Sequence, residues 1–180
     1  MRSKSTAPLK AALIVNMASV LVTLAIFFAL FWWWAVPADD HAQLATGAAD
    51  RLAIWGGLVL WPALLLMGQV MGVMMARGRS RAFNPITDEE SLRQRIAQRV
   101  LSNSVEQTMI FLPALAAWCV LSPPAMLAMA GPATAIFVAG RLLFWIGYRI
   151  HPYARAPGMA MTWTISALLL AGGVMSSLGG

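Results

Sequence analysis

The sequence predicts an all-α integral membrane protein whose helices cross the bilayer five times. Of its 180 residues, 59% are hydrophobic and only 11% are charged, whereas a soluble domain carries about 25% charged residues. Five apolar segments are each long enough, at about 1.5 Å of rise per residue, to cross a hydrocarbon core of about 30 Å. They cover residues 11–36, 52–76, 100–121, 125–150 and roughly 156–178.

The first apolar segment is interpreted as a retained helix and not as a signal peptide. It follows the basic tail MRSKSTAPLK and ends in FWWW. The apolar region of a signal peptide is about 7–15 residues long, and this one is far longer. Tryptophans are also typical of the membrane interface. We therefore expect residues 1–51 to form a basic tail, an additional transmembrane helix and an external loop.

The basic residues predict the orientation of the chain in the membrane. They precede the first segment and occupy the connections between the second and third segments and between the fourth and fifth. The other two connections are PADDHAQLATGAADR, with three aspartates against one arginine, and the uncharged SPP. Because basic connections stay in the cytoplasm, we expect a cytoplasmic N-terminus and an external C-terminus.

Cysteine, histidine and charge placement argue against several classes of site. Cys119 is the only cysteine, which excludes an intramolecular disulfide and a cysteine-based metal site. His41 and His151 lie in separate predicted loops, so we expect no metal. The basic residues cluster at the ends of apolar segments without the interleaved aromatics that stack nucleic-acid bases. We therefore expect no nucleic-acid partner.

The polar connection RGRSRAFNPITDEESLRQR predicts where the third helix begins. The Asn-Pro pair at 84–85 indicates a turn, because a residue before proline is disfavoured in the helical region. Thr87 and Glu90 have the spacing of a capping box. We therefore expect the third helix to begin near Asp88, in water, and to enter the membrane around Arg99.

The first half of that third helix carries a polar face. Arg95, Arg99, Asn103 and Glu106 are spaced so that they share one side of a helix, with Gln107 at its edge. An ionisable side chain at the centre of a membrane helix costs about 2.5–3.5 kcal/mol on insertion scales. The face must therefore meet protein or a wet cavity. Glu106 either pairs with an arginine to lock helices together, or it belongs to a polar pocket open to the cytoplasm.

A second polar face is predicted on the fourth segment. Arg141, Phe144 and Tyr148 share one side of a helix, and Arg155 begins the fifth segment. Taken singly, Arg141 is consistent with a side chain that snorkels to the interface, and Tyr148 with an interfacial residue. Taken together, they predict a basic wall near the same membrane surface. Several arginines with the one carboxylate of Glu106 suit a ligand with more than one negative group and a single amine. Amino acids, peptides and lipid headgroups all fit that description.

Three stretches resemble the MAPEG family, the membrane-associated proteins of eicosanoid and glutathione metabolism. RGRSRAFNP resembles the basic loop after the first helix of the family, and RVLSNSVEQ matches its R-x3-N-x2-E signature. GRLLFWIGYRIHPYARAPG resembles the end of its third helix and the R-x2-G at the start of its fourth. The resemblance implies a four-helix transmembrane bundle over residues 52–180, preceded by one additional helix. It also implies a bacterial-type member in the inner membrane.

The resemblance further implies a homotrimer that binds glutathione as co-substrate between neighbouring subunits, near the cytoplasmic face. Arg155 would stabilise the glutathione thiolate. An arginine of the neighbouring subunit, one of three in the basic loop, would complete the site. The implied glutathione-binding set is Arg99, Asn103, Glu106, Arg141 and Tyr148, with Arg77, Arg79 or Arg81 from the neighbour. Two residues depart from the family pattern, since Gln107 and Phe144 stand where tyrosines are common.

The leading functional hypothesis is a membrane transferase or peroxidase that uses glutathione, or a related thiol, against lipophilic electrophiles or hydroperoxides from the bilayer. A non-catalytic trimeric scaffold or lipid-binding protein is the alternative. A small proton-coupled transporter is less favoured, because the polar residues lie near one side of the membrane only. In each case membrane lipids and lipophilic small molecules are the expected contacts.

Overall fold

A computed structural model describes residues 7–34, 47–81, 84, 88–151 and 153–179. The described chain forms helices and has no strand among these residues. Five spans are long and apolar enough to cross a membrane, which confirms the predicted all-α membrane fold. The helices are α1 (Ala7–Trp34), α2 (Ala48–Ser80), α3 (Leu92–Leu121), α4 (Pro124–Leu127), α5 (Ala130–Ile150) and α6 (Ala156–Leu178).

Two helix boundaries at the basic connection differ from the prediction. Helix α2 continues to Ser80, so that much of the predicted basic loop is helical. The prediction that the third helix begins near Asp88 is wrong. Helix α3 begins at Leu92, because the Ser91 hydroxyl accepts a hydrogen bond from the Gln94 backbone N–H at 3.2 Å and so caps the helix. Thr87, from the predicted capping box, lies outside the described residues.

The predicted fourth segment, residues 125–150, is divided in two. The short helix α4 begins with a proline at its N-terminus, a position where the missing N–H has no helical partner to lose. The Trp118 indole N–H of α3 donates to the Met126 carbonyl of α4 at 3.0 Å. This bond attaches the short helix to the end of α3.

Helices α2, α3, α5 and α6 form a bundle, and α1 packs on its outside. Helix α3 contacts α2 and α6 extensively, and α5 packs mainly on α6. In the core, the rings of Phe111 and Phe137 are stacked with centroids 3.9 Å apart. Helix α1 lies mainly against α6 and contributes the buried Phe27 to this core.

Two glycines let α5 and α6 meet backbone against backbone. A Cβ atom at Gly158 would overlap the backbone of Phe144, and one at Gly147 would overlap the Ala154 carbonyl. Only glycine avoids such an overlap without a shift of the helices. The close approach lies at the end of the bundle that carries the R-x2-G motif, so it fixes how the two helices present their polar residues.

Candidate functional site

Arg141 ties three helices together from inside the bundle. Its side chain is fully buried. Its Nη1 donates to Asn103 Oδ1 of α3 at 2.9 Å, and its Nη2 donates to Thr162 Oγ1 of α6 at 3.0 Å. A guanidinium that is buried with fixed partners does not reach the membrane interface. The interpretation of Arg141 as a side chain that snorkels to the interface is therefore wrong. Across the described part of the chain, no carboxylate pairs with it.

A row of aromatic and cationic side chains leads from Arg141 to the start of α6. The Arg141 Cζ lies 4.4 Å from the centroid of the Phe144 ring, and this ring lies 5.7 Å from that of Tyr148. The Arg155 Cζ then lies 4.8 Å from the Tyr148 centroid. Each cation is within the distance at which a ring face attracts it. Asn103 and these four residues therefore form a continuous line in one protomer, which we call the signature row.

Arg155 has a second feature that favours anions. It occupies the N-cap position of α6, and the N-terminus of a helix carries a partial positive charge. Its guanidinium is exposed beside the half-buried Tyr148. A negative group placed there would meet both the side-chain charge and the helix terminus.

Arg99 and Glu106 lie on the outer surface of the protomer. Both side chains are exposed, although α3 is a candidate membrane span. Between residues that the structure describes, neither forms an ion pair or a side-chain hydrogen bond. Among the described residues no arginine pairs with Glu106, so the alternative that such a pair locks helices together stays a prediction.

The basic residues near the end of α2 are arranged differently from one another. Arg77 is half-buried with its Nε unbonded. Arg79 lines a cavity together with Arg93 and Arg149. Arg81 ends α2 in the left-handed region, with φ 53°. That one of the three serves a neighbouring subunit stays a prediction.

Several polar residues of the bundle were not predicted from the sequence. Thr162 bonds Arg141, and it also donates to backbone carbonyls of its own helix. Thr162 lies one helical turn after Gly158 of the R-x2-G motif, so the sequence spacing alone places it on the same face of α6 as that glycine. Gln69, Ser104 and Gln107 are buried, and each has a side-chain atom with no hydrogen-bond partner among the described residues. Gln107, predicted at the edge of the polar face, is thus turned into the protomer.

Gly68 and Gly72 lie one helical turn apart on α2 and face a side chain of α5. The indole of Trp145 lies over them, and a Cβ at Gly72 would be 3.4 Å from the Trp145 Cζ2 atom. An aromatic side chain of α5, and not a helix backbone, therefore occupies the space that Gly68 and Gly72 leave.

Comparison with known proteins identifies the family of this chain. A sequence profile of the MAPEG family matches residues 52–175. The chain belongs to the MAPEG family. It is also 31% identical over 127 residues to an uncharacterized protein of Synechocystis sp., a match that covers 67% of this chain and 90% of that protein.

The matched region of this MAPEG protein contains every residue of the signature row. It begins within the first turns of α2 and ends near the C-terminus of α6. Helix α1 lies outside the match. The family signature on α3 and the R-x2-G motif on α6 are distant in sequence, and the Arg141 hydrogen bonds connect the helices that carry them.

Proposed function

We propose that this MAPEG protein is a membrane transferase or peroxidase that activates glutathione, or a closely related thiol, against lipophilic electrophiles or hydroperoxides. The observation that carries the proposal is the signature row. It joins the α3 signature to Arg155 through contacts within one protomer. A peptide with an ammonium group, two carboxylates and a thiol has the charges that such a site can bind.

The row begins at Asn103 on α3 and ends at Arg155 before α6, and residues near each end have separate tasks in this proposal. Arg99 and Glu106 flank Asn103 on α3 but are not members of the row. Arg99 and Glu106 bind the carboxylate and the ammonium group of the peptide, because a guanidinium pairs bidentately with a carboxylate and a carboxylate attracts a cation. Arg155 stabilises the thiolate. Arg141 is a positioning residue, since it is buried and holds the Asn103 side chain through its carbonyl oxygen.

Thiolate stabilisation is the chemical contribution of Arg155. A free thiol has a pKa of about 8.5, so only a few per cent is ionised at neutral pH. Lowering that pKa by two units requires about 2.7 kcal/mol of preferential stabilisation of the anion. Arg155 is exposed in the single chain, and a guanidinium supplies charge stabilisation of this order once bound substrate and a neighbouring subunit exclude water. The α6 N-terminus adds to it.

In the transferase reaction, the thiol and the electrophile are the only reactants. The thiol proton leaves to water, and the thiolate sulfur forms a bond to the electrophilic carbon as the leaving group departs with its electron pair. With a hydroperoxide, the sulfur attacks an oxygen and the O–O bond breaks, releasing an alcohol after protonation. A second glutathione thiol then reduces the sulfenic acid and releases water, giving the disulfide.

The exposed polar residues of α3 support assembly into a homotrimer. Arg99 and Glu106 cannot remain in contact with lipid at acceptable cost, so a neighbouring subunit covers them in the membrane. The number of subunits follows from the family. Native mass spectrometry of the protein in mild detergent is expected to give trimers, and monomers or dimers alone would contradict this assignment.

The proposed site faces the cytoplasm, because its end of the bundle carries most of the arginines. The N-terminus is then cytoplasmic and the C-terminus external, in a bacterial inner membrane. A reporter fused after Gly180 that is active only in the cytoplasm would reverse this orientation.

The decisive experiment measures glutathione binding and thiolate formation separately. Thermal-shift titration reports binding, and ultraviolet difference absorbance reports the thiolate. Glu106→Gln is expected to weaken binding at least tenfold, because the ammonium group loses its counter-charge. Arg155→Ala is expected to retain much of the binding but to lose the thiolate absorbance and turnover. Arg95→Ala, an exposed charge removal one turn before Arg99, is the matched control and should change neither.

The enzyme proposal fails if the wild-type protein neither binds glutathione at millimolar concentration nor produces a thiolate signal. It also fails if Arg95→Ala and Arg155→Ala reduce the thiolate signal equally, because the effect would then follow net charge. Thiolate formation without any turnover would instead support a thiol-binding scaffold.

A further inference from the structure

The cavity lined by Arg79, Arg93 and Arg149 lies at the same end of the bundle as the signature row. It has a volume of about 560 Å³ and is formed by the end of α2, the start of α3 and the end of α5. Sites for small ligands are about 300–1,000 Å³, so this one is large enough for a polar headgroup. Its polar walls include Arg79, Arg93 and Arg149, with Ser80 and Ser91 beside them.

The three arginines of this cavity have no anionic partner among the residues that line it. The nearby Glu90 carboxylate is not part of the lining, and it accepts instead from the Gln94 amide at 3.4 Å. Within the described ranges, Arg79, Arg93 and Arg149 form neither ion pairs nor side-chain hydrogen bonds. Three like charges that face one space repel each other, and an anion bound between them removes that repulsion.

The serine hydroxyls beside these arginines form hydrogen bonds within the protein. The Ser80 hydroxyl bonds carbonyls of its own helix and the Gln94 amide oxygen, and Ser91 caps α3. Arg149 stacks on the Trp145 ring with its Cζ 5.3 Å from the centroid. The serines therefore hold α2 against α3, while the guanidiniums remain available to a ligand.

We propose that this cavity binds the phosphate group of an anionic phospholipid. The arginines lie at the end of the membrane-spanning helices, at the level where headgroups are found. Gly72, Met75 and Ile96 supply apolar wall toward the middle of the bundle, where the glycerol and the first acyl carbons fit. Basic pockets between transmembrane helices on the cytoplasmic side are suited to acidic lipid headgroups.

This lipid site is separate from the signature row. Tyr148 and Arg149 are consecutive on α5 and therefore point about 100° apart. Arg141 lies about two helical turns deeper than Arg149. Only Arg79 is shared with the set of residues implied for glutathione binding. The lipid proposal thus does not depend on the proposed thiol chemistry.

The test uses the full-length protein in neutral detergent at constant ionic strength, with native mass spectrometry as the readout. Wild-type protein is titrated with phosphatidylglycerol, with phosphatidylcholine and with inorganic phosphate. We expect phosphatidylglycerol to bind at least tenfold more tightly than phosphatidylcholine. The double variant Arg93→Ala/Arg149→Ala should lose that preference, and the charge-matched control Arg81→Ala/Arg95→Ala should keep it within twofold.

Further measurements keep the result interpretable if the alanine variant folds poorly. Arg93→Lys/Arg149→Lys retains the charges and should recover most of the preference. Equal binding of the two lipids, or equal loss in the control variant, would overturn the proposal. Saturation by inorganic phosphate as readily as by phosphatidylglycerol would identify free phosphate as the ligand. Displacement of the lipid by glutathione would assign the cavity to the thiol site. Failure of glutathione to bind at all would leave the lipid result unaffected.

Discussion

Two groups of arginines in this bundle have opposite relations to the rest of the protein. Arg141 and Arg51 donate hydrogen bonds to groups of the protein itself. Arg79, Arg93 and Arg149 share a cavity, and among the described residues their side chains form no hydrogen bonds. The first group holds helices together. The second group lies where a ligand can complete it. Proximity to a helix end alone therefore does not tell a structural arginine from a binding one.

Depth explains much of this difference. Arg141 lies well inside α5, where water cannot satisfy a guanidinium and each unsatisfied polar group costs several kcal/mol. Its partners on α3 and α6 were therefore required for the helices to insert and pack. The cavity arginines lie within a turn or two of the helix ends, where water or a headgroup reaches them.

Removing Arg141 is expected to have the largest effect. Arg141→Ala leaves Asn103 and Thr162 without their donor and creates a cavity, so the free energy of unfolding should fall by about 3–5 kcal/mol. Arg141→Met fills most of the volume without a buried charge and should be less destabilising. Equilibrium unfolding in detergent measures both. An Arg141→Ala variant within 0.5 kcal/mol of wild type, as expected for a surface change, would show that the three-helix connection contributes little.

The sequence predicted the spans and the members of the signature row, but not how they connect. The apolar segments were clear because a membrane helix requires a long uninterrupted run. The start of α3 was mistaken because two capping patterns compete there. Thr87 precedes Glu90 by three residues and Ser91 precedes Gln94 by three, and both fit S/T-x-x-E/Q. The structure shows the Ser91 hydroxyl capping α3 through the Gln94 N–H, and Thr87 lies outside the described residues.

Other features depended on tertiary contacts that no local pattern contains. The burial of Arg141 follows from the approach of α6 to α5 at Gly158, which brings Thr162 within reach. The arginines of the polar connection were recognised as a topology signal. In the structure, Arg79 and Arg93 line the cavity, whereas Arg99 lies on the polar face of α3. Telling them apart requires the positions of α2 and α5, which a single sequence does not supply.

Arg51 tests the same comparison at the opposite end of the bundle. We expect its removal to have an effect smaller than that of Arg141 and larger than that of Arg93. Its Nη1 donates to the Ser122, Val120 and Cys119 carbonyls at 2.6, 3.1 and 3.3 Å, which satisfies carbonyls at the end of α3. Arg51→Ala should cost about 1.5–3 kcal/mol, as for hydrogen bonds to a charged group.

Hydrogen exchange measures this effect locally, since the amides of residues 122–129 should exchange faster in Arg51→Ala. The neighbouring exposed Asp50→Ala is the control and should leave exchange there unchanged. Equal exchange in wild type and Arg51→Ala would show that the end of α3 does not depend on this cap.

The smallest effect is expected at Arg93, and its size should depend on the lipid. In neutral detergent without phosphate, Arg93→Ala should change the free energy of unfolding by no more than about 0.5 kcal/mol, because the exposed side chain forms no ion pair or hydrogen bond with any described residue. With anionic phospholipid at a hundred times its dissociation constant, wild type should be stabilised by about 2.7 kcal/mol. A variant that binds tenfold more weakly should be stabilised by only about 1.4 kcal/mol under the same conditions. Thermal unfolding with and without phosphatidylglycerol measures the difference.

If Arg93→Ala were equally destabilised in both conditions, Arg93 would belong with Arg141 and Arg51 as a structural arginine, and the division between the two groups would fail at that residue.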